Sequence, residues 1–265
     1  MDALLVSCPN DGGVFVVEDG RARRVSYVDT VGITPTANGY VWARQSGEIN
    51  ILRVVDCDGY RLHSLDEDHL DLHDLFWHDD ALYVACTKIN GVVRLDADLR
   101  ELQRWTLPGG PDSIHLNSVA VYKGRLIVSI FGHFSEYREY KGKTAGSGCV
   151  LDLETGEVLI RGLSQPHTLR VDGERLWLCD SEAKTLRVYE NGEQVAERKM
   201  EAYVRGLALS KDYAYVGLNR TRNIDREDQI DTAQIVVLDR KTLAEVSRVA
   251  IDANEIYDIV VIERD

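Results

Sequence analysis

One unit recurs along this chain and limits its fold more than any other feature. It runs from a polar start into an apolar strand, then a tight Asp/Asn/Gly turn, then a second strand. Copies begin at Leu72-His73-Asp74, Leu116-Asn117-Ser118, Pro166-His167-Thr168 and Val204-Arg205-Gly206. Their turns are Asp79-Asp80, Lys123-Gly124, Asp172-Gly173 and Lys211-Asp212. A weaker copy runs from Gly32-Ile33 through Asn38-Gly39 to Trp42, and a truncated one, Ile256–Val261, ends the sequence. A second half follows the same pattern in Gly91–Asp96, Gly148–Asp152, Thr185–Tyr189 and Gln234–Asp239. Each unit therefore holds about four short alternating strands, the signature of antiparallel sheet.

Aligned at positions 31, 73, 117, 167, 205 and 257, the units are 38 to 52 residues apart. From position 257 through the end and back to 31 is 39 residues, one more unit split across the termini. A fixed period of this size marks a radial array. The spacing predicts an all-β, six-bladed β-propeller forming a single domain over 1–265. Strands near 3–7, 14–17 and 23–27 complete the blade that 257–262 begins, so no open sheet edge is left at the join.

Composition narrows the partners. The 44 acidic residues outnumber the 31 basic ones, for a formal net charge of −13. A polyanion such as nucleic acid is a poor partner for such a chain, and so is an anionic membrane surface. No apolar run approaches the length of a membrane helix. The N-terminus, with no basic region and an apolar stretch too short for a signal peptide, is not expected to be one. Five cysteines without framework spacing predict a reduced, cytoplasmic protein.

In a propeller the first strand of every blade lines the central channel. Its entry end meets the loops between the second and third strands. The entry residues here are His73, Asn117, His167, Arg205 and Tyr257, with Asp74 and Asp258 one step further on. Two residues earlier lie Asp71, His115, Gln165, Tyr203 and Glu255. The loop set adds Pro9-Asn10, Gln45–Glu48, Thr87-Lys88 and Asp180-Ser181. Two long segments, Phe131–Gly148 and Asn219–Gln234, reach the same face and are expected to form walls or a lid. They carry His133, Glu136, Asn219, Arg220 and Arg222.

These residue types suggest chemistry. Imidazole is a frequent metal ligand and the usual proton carrier near neutral pH, and His73, His115 and His167 all fall close to one height in the ring. His73, Asn117 and His167 form a candidate ligand set for a divalent metal, Zn, Mn or Fe rather than Ca. His73, His167, Arg205, Tyr257 and Asp258 are the candidate catalytic residues. Arg205 either clamps a carboxylate or phosphate or pairs with Asp258 or Glu255. Asp74, Lys88, His115, His133, Asp180, Asn219 and Arg220 are expected to contact substrate. Gly142-Lys143-Thr144 resembles the end of a phosphate loop, but Tyr137 stands where that loop needs glycine. Cys86 and Cys179 read as core fillers.

Gln165–Arg170 followed by Asp172–Ser181 resembles a bacterial propeller family of unknown function, whose members carry Pro-His-Ser-Pro-Arg-like and Asp-Gly-Arg-Leu-Trp segments. His115-Leu116-Asn117, Val204–Ala208 and Tyr215–Leu218 match further motifs of that family. More distantly, the architecture is similar to gluconolactonases and strictosidine-synthase-like propellers. Gluconolactonases hold a divalent cation with Glu, Asn and Asp, for which Glu255, Asn117 and Asp258 are the analogues. The Glu-Gly-Pro and Asn-Gly contexts of that group are missing. The function expected from residues and resemblance is metal-assisted lactone hydrolysis, β-elimination or isomerisation of a small polar or anionic substrate. The alternative is a non-catalytic propeller that binds a protein or glycan through exposed loop residues such as Tyr137, Tyr140 and Arg222.

Overall fold

A computed structural model describes residues 1–44, 50–65, 70–220 and 230–262. It contains six four-stranded antiparallel sheets. Five are meanders built from consecutive strands, beginning at Thr30, Leu72, Ser118, Pro166 and Tyr203. The remaining blade combines the last described strand, Asp258–Ile262, with the first three, Ala3–Cys8, Gly13–Glu18 and Arg21–Ser26. Its closing pairs run from Ser7 with Asp258 to Ala3 with Ile262. The inner strands touch their neighbours all the way round: Thr30–Thr36, Leu72–His78, Ser118–Tyr122, Pro166–Asp172, Tyr203–Leu209 and Asp258–Ile262. The protein is a six-bladed β-propeller. Among the described residues no helix is long and apolar enough to cross a membrane.

The alternation read from sequence is the burial pattern. Second strands such as Ala81–Cys86 are buried along their whole length, since neighbouring blades cover both faces. Outer strands such as Glu193–Lys199 are largely exposed and charged, which discourages edge pairing. Apolar side chains fill the wedges between blades. Leu4, Val6 and Phe15 of the shared blade pack on Tyr215, Ile235 and Val237 of the blade that begins at Tyr203. Tyr215 also donates its hydroxyl proton to Asp2 Oδ2 at 2.6 Å, tying the N-terminus to that neighbour. Cys86 and Cys179 are fully buried among apolar neighbours, as expected.

Four inner strands carry a register shift near their entry: between Thr30 and Ile33, Leu72 and Leu75, His167 and Arg170, and Val204 and Leu207. Such a bulge bends the strand and re-aims its side chains. His73, Asp74, Thr168 and Arg205 all lie inside these bulges. At Arg205 the blade must also come close. A Cβ on Gly217 would sit 2.1 Å from the Arg205 carbonyl oxygen, so only glycine permits that approach.

Candidate functional site

The inner-strand residues divide between two adjoining spaces. Residues two before the strand entry (Asp71, His115, Gln165 and Glu255) line an open funnel of about 710 Å³ at the channel mouth. His73, Arg205 and Tyr257 also line it. One step deeper, Asp74, Asn117, His167, Thr168 and Asp258 line a separate chamber of about 10 Å³. Arg205 and Tyr257 border both spaces. The three histidines therefore do not share one height. His73 and His115 meet edge to face in the funnel, with centroids 5.0 Å apart. Phe131 contacts His115 at 4.3 Å and His167 at 5.2 Å, standing between the two levels.

The funnel holds a constellation that the sequence reading missed. Asp112, 1% exposed, accepts from His115 Nδ1 at 2.9 Å, Arg138 Nε at 2.5 Å and the Tyr140 hydroxyl at 3.0 Å. The Tyr140 hydroxyl lies 3.0 Å from the same Nδ1; in the neutral ring the Asp112 carboxylate favours the tautomer with the proton on Nδ1 and the lone pair on Nε2. Burial alone would raise the Asp112 carboxyl. The hydrogen bonds and charge of His115 and Arg138 outweigh it and hold the group below its ordinary value. Burial first, then the same carboxylate, pushes the Tyr140 hydroxyl well up, so it stays a proton donor.

The long segment Phe131–Gly148 does form a wall, as predicted: Phe131, Arg138, Tyr140, Lys141, Gly142 and Thr144 line the funnel. It is tied down at both ends. Gly110 N–H donates to the Ser135 carbonyl at 2.8 Å. Thr144 Oγ1 donates to Glu182 at 2.7 Å and accepts from Gln165 Nε2 at 2.9 Å. Asp71, His115 and Gln165 have positive φ (54°, 48° and 52°), an uncommon conformation for residues other than glycine that gathers at functional sites.

Arg205 forms no ion pair with Asp258 or Glu255. Asp258 binds Arg170 Nη2 at 2.6 Å, from two blades away, and Glu255 accepts from Asn10 at 3.4 Å. Instead the Arg205 guanidinium lies 3.4 Å over the Tyr257 ring, and its Nη2 has no hydrogen-bond partner. No acidic side chain among the described residues is within ion-pair distance of it. His73 Nδ1 is also unpartnered, 3.9 Å from Asp71. Burial first, then the neighbouring charges of His115 and Arg205, holds His73 well below the usual imidazole range. Burial, then Arg205, does the same to His167.

Several expected site residues serve the scaffold. Asp180 accepts from Ser164 N–H at 2.6 Å and Arg187 Nε at 2.8 Å, and is fully buried away from the funnel. Asn219 caps the carbonyls of Tyr203 and Arg205 at 3.3 Å and accepts from Ile256 N–H. His133 is exposed beside Cys149 rather than in the funnel. Lys88 sits 5.0 Å over the Tyr137 ring and Arg220 is exposed, and neither lines the cavity. Gln45–Glu48 and Arg222 lie outside the described residues. In the candidate metal set, His73 lines the funnel, whereas Asn117 and His167 line the chamber. No three His, Cys, Asp or Glu side chains among the described residues are gathered as ligands.

Comparison with protein families now adds to this geometry. Residues 63–264 match the family described as a domain of unknown function, DUF4915. The chain belongs to that family. The match bears out the resemblance to a propeller family of unknown function drawn from Gln165–Ser181 and its companion motifs. No curated protein matches the chain. Among solved structures, DUF4915 here is similar to a protein of unknown function from Bacteroides caccae (TM-score 0.71, 12% identity, 97% of each chain covered). A chain in a nidogen/laminin complex gives TM-score 0.70 at 10% identity, covering 98% of this chain and 97% of that one. A 6-phosphogluconolactonase-like protein from Bacteroides fragilis gives TM-score 0.59 at 14% identity, covering 99% and 98%. At these identities the likeness concerns the fold alone.

Proposed function

We propose that the funnel is the active site of an enzyme that binds a small anionic molecule at Arg205 and moves a proton through His115. The observation that carries this reading is an arginine without a carboxylate partner in the same funnel as an imidazole bonded to a buried aspartate. Arg44, Arg138, Lys141 and Arg205 line the funnel against Asp71 and Glu255. A cationic mouth on a chain of net charge −13 concentrates anions where they are needed. The planar guanidinium, braced on Tyr257, suits a carboxylate or phosphate group. The Asp112–His115 pair then supplies a base at Nε2, with Tyr140 and Arg138 fixing the carboxylate. Neutral His73 stands next to it as a second proton acceptor. Lactone hydrolysis, β-elimination and isomerisation all require this kind of proton transfer.

A divalent metal at His73, Asn117 and His167 fits the geometry poorly. The Arg205 guanidinium that disfavours protonation of both imidazoles repels a dication in the same way. Asn117 Oδ1 already accepts from Ser129 at 3.0 Å. The anion reading needs no such group. The alternative, a binding surface for a macromolecule, loses one of its expected exposed residues: Tyr140 is 6% exposed and bonded to Asp112. The test is an activity screen over small lactones and hydroxy acids with wild type and His115→Gln. Turnover should fall at least about 100-fold in the variant, with melting temperature nearly unchanged. Equal turnover in the two proteins would remove His115 from the chemistry.

A further inference from the structure

The chamber beneath the funnel is bordered by buried polar atoms, two of which, on Tyr257 and Asp258, the funnel chemistry does not use. Tyr257 Oη, Asp258 Oδ2 and Arg205 Nη2 all lack a hydrogen-bond partner, and all three residues border the chamber. Tyr257 and Asp258 are 7% and 2% exposed. Buried polar groups in folded proteins are nearly always satisfied, if not by protein then by ordered water. The chamber measures about 10 Å³, about the least space that holds one water.

The chemistry of the wall selects the occupant. Asp258 Oδ2 needs a donor, Arg205 Nη2 needs an acceptor, and the Tyr257 hydroxyl serves as either. Two acids, Asp74 and Asp258, and one base, Arg205, line the space, and Arg170 is paired with Asp258, so the formal charges balance. A halide could accept from Arg205 but could not donate to Asp258. A sodium ion would bind the carboxylate but face the guanidinium. Water has two donors and two acceptors and meets all three needs. Burial, with the nearby Asp74 charge, pushes the Asp258 carboxyl up to about 7, and water can bond either of its protonation states.

We infer that the chamber is a binding site for a single water molecule held by Tyr257, Asp258 and Arg205. This water links the channel interior to the funnel floor, because Tyr257 and Arg205 face both compartments. The inference shares Arg205 with the proposed anion site, but it rests on the buried atoms of Tyr257 and Asp258, and its test reads no activity. It is tested by crystal structures of the wild-type protein and Tyr257→Phe grown with sodium bromide. The wild type should show one peak, without anomalous signal, within hydrogen-bond distance of the three atoms. The phenylalanine variant keeps the ring beneath Arg205 and should lose at least half of that peak's occupancy. Three results would overturn the inference: an anomalous bromide peak in the chamber, a direct Tyr257–Asp258 hydrogen bond with no peak between them, or a peak unchanged in Tyr257→Phe.

Discussion

Replacing Asp112 by asparagine tests the core of the funnel with almost no change of shape. The carboxylate is 1% exposed and accepts from three donors: His115, Arg138 and Tyr140. An amide keeps one acceptor and turns the other towards these donors as an NH₂ group. Hydrogen bonds to a charged group contribute about 1.5–3 kcal/mol each. Arg138 is 39% exposed and can return to water, so its share is discounted. A net loss of about 2–3 kcal/mol follows, roughly 5 °C in melting temperature for a chain of 265 residues. The sign with pH is fixed by the depressed carboxyl. It stabilises the fold above its unfolded value of about 4 and loses that contribution as pH falls below it. Urea unfolding of both proteins at pH 7 and on the acid side of pH 4 measures this. The gap should be complete at pH 7 and narrower in acid. A variant as stable as wild type at pH 7, or a gap that widens in acid, would refute the reasoning.

Other outcomes follow from single residues. Asp258, pushed up to about 7, favours its neutral form in the fold. Its stabilising contribution is present below its unfolded value and lost as pH rises towards 7. Asp258→Asn should therefore gain on wild type in urea titrations as pH rises from about 4 to 7. Thr168 has φ 51° although it is β-branched, and its repeat partner in the next blade is Gly206, φ 80°. Thr168→Gly should be more stable than Thr168→Ala by about 1 kcal/mol, because both lose the 3.2 Å contact with Gly206 N–H and only glycine relieves the strain. Asn219→Ala removes a buried bracket on Tyr203, Arg205 and Ile256. Thermal unfolding should show a loss of about 2–3 kcal/mol.

The fold was legible because every blade repeats the same alternation and turn chemistry, and the register of Ser7 with Asp258 completes what the split unit implied. Inner-strand positions were legible for the same reason: the period places His73, Arg205 and Tyr257 at the mouth. Depth was not. The bulges at Leu72–Leu75, His167–Arg170 and Val204–Leu207 re-aim side chains by amounts no period reveals, so His73 and His167 reach different compartments. Asp112, Arg138 and Tyr140 lie on connections longer than their equivalents in most of the other blades, so the period says nothing of where their side chains go. The one available signal was an aspartate three residues before His115 in a turn-rich stretch. Asp180 and Asn219 misled because a polar residue at a strand end can bond the backbone as well as a ligand. Only the contacts of Ser164 and Ile256 decide it.

The central claim is that Arg205 anchors an anion at the funnel floor. Small carboxylates and organic phosphates can be screened by thermal shift, and the strongest binder titrated calorimetrically into wild type and Arg205→Gln. The account predicts one site per chain, with affinity at least tenfold weaker in the variant and weakened further by salt. Equal affinity in the two proteins, or binding that ignores ionic strength, would contradict it.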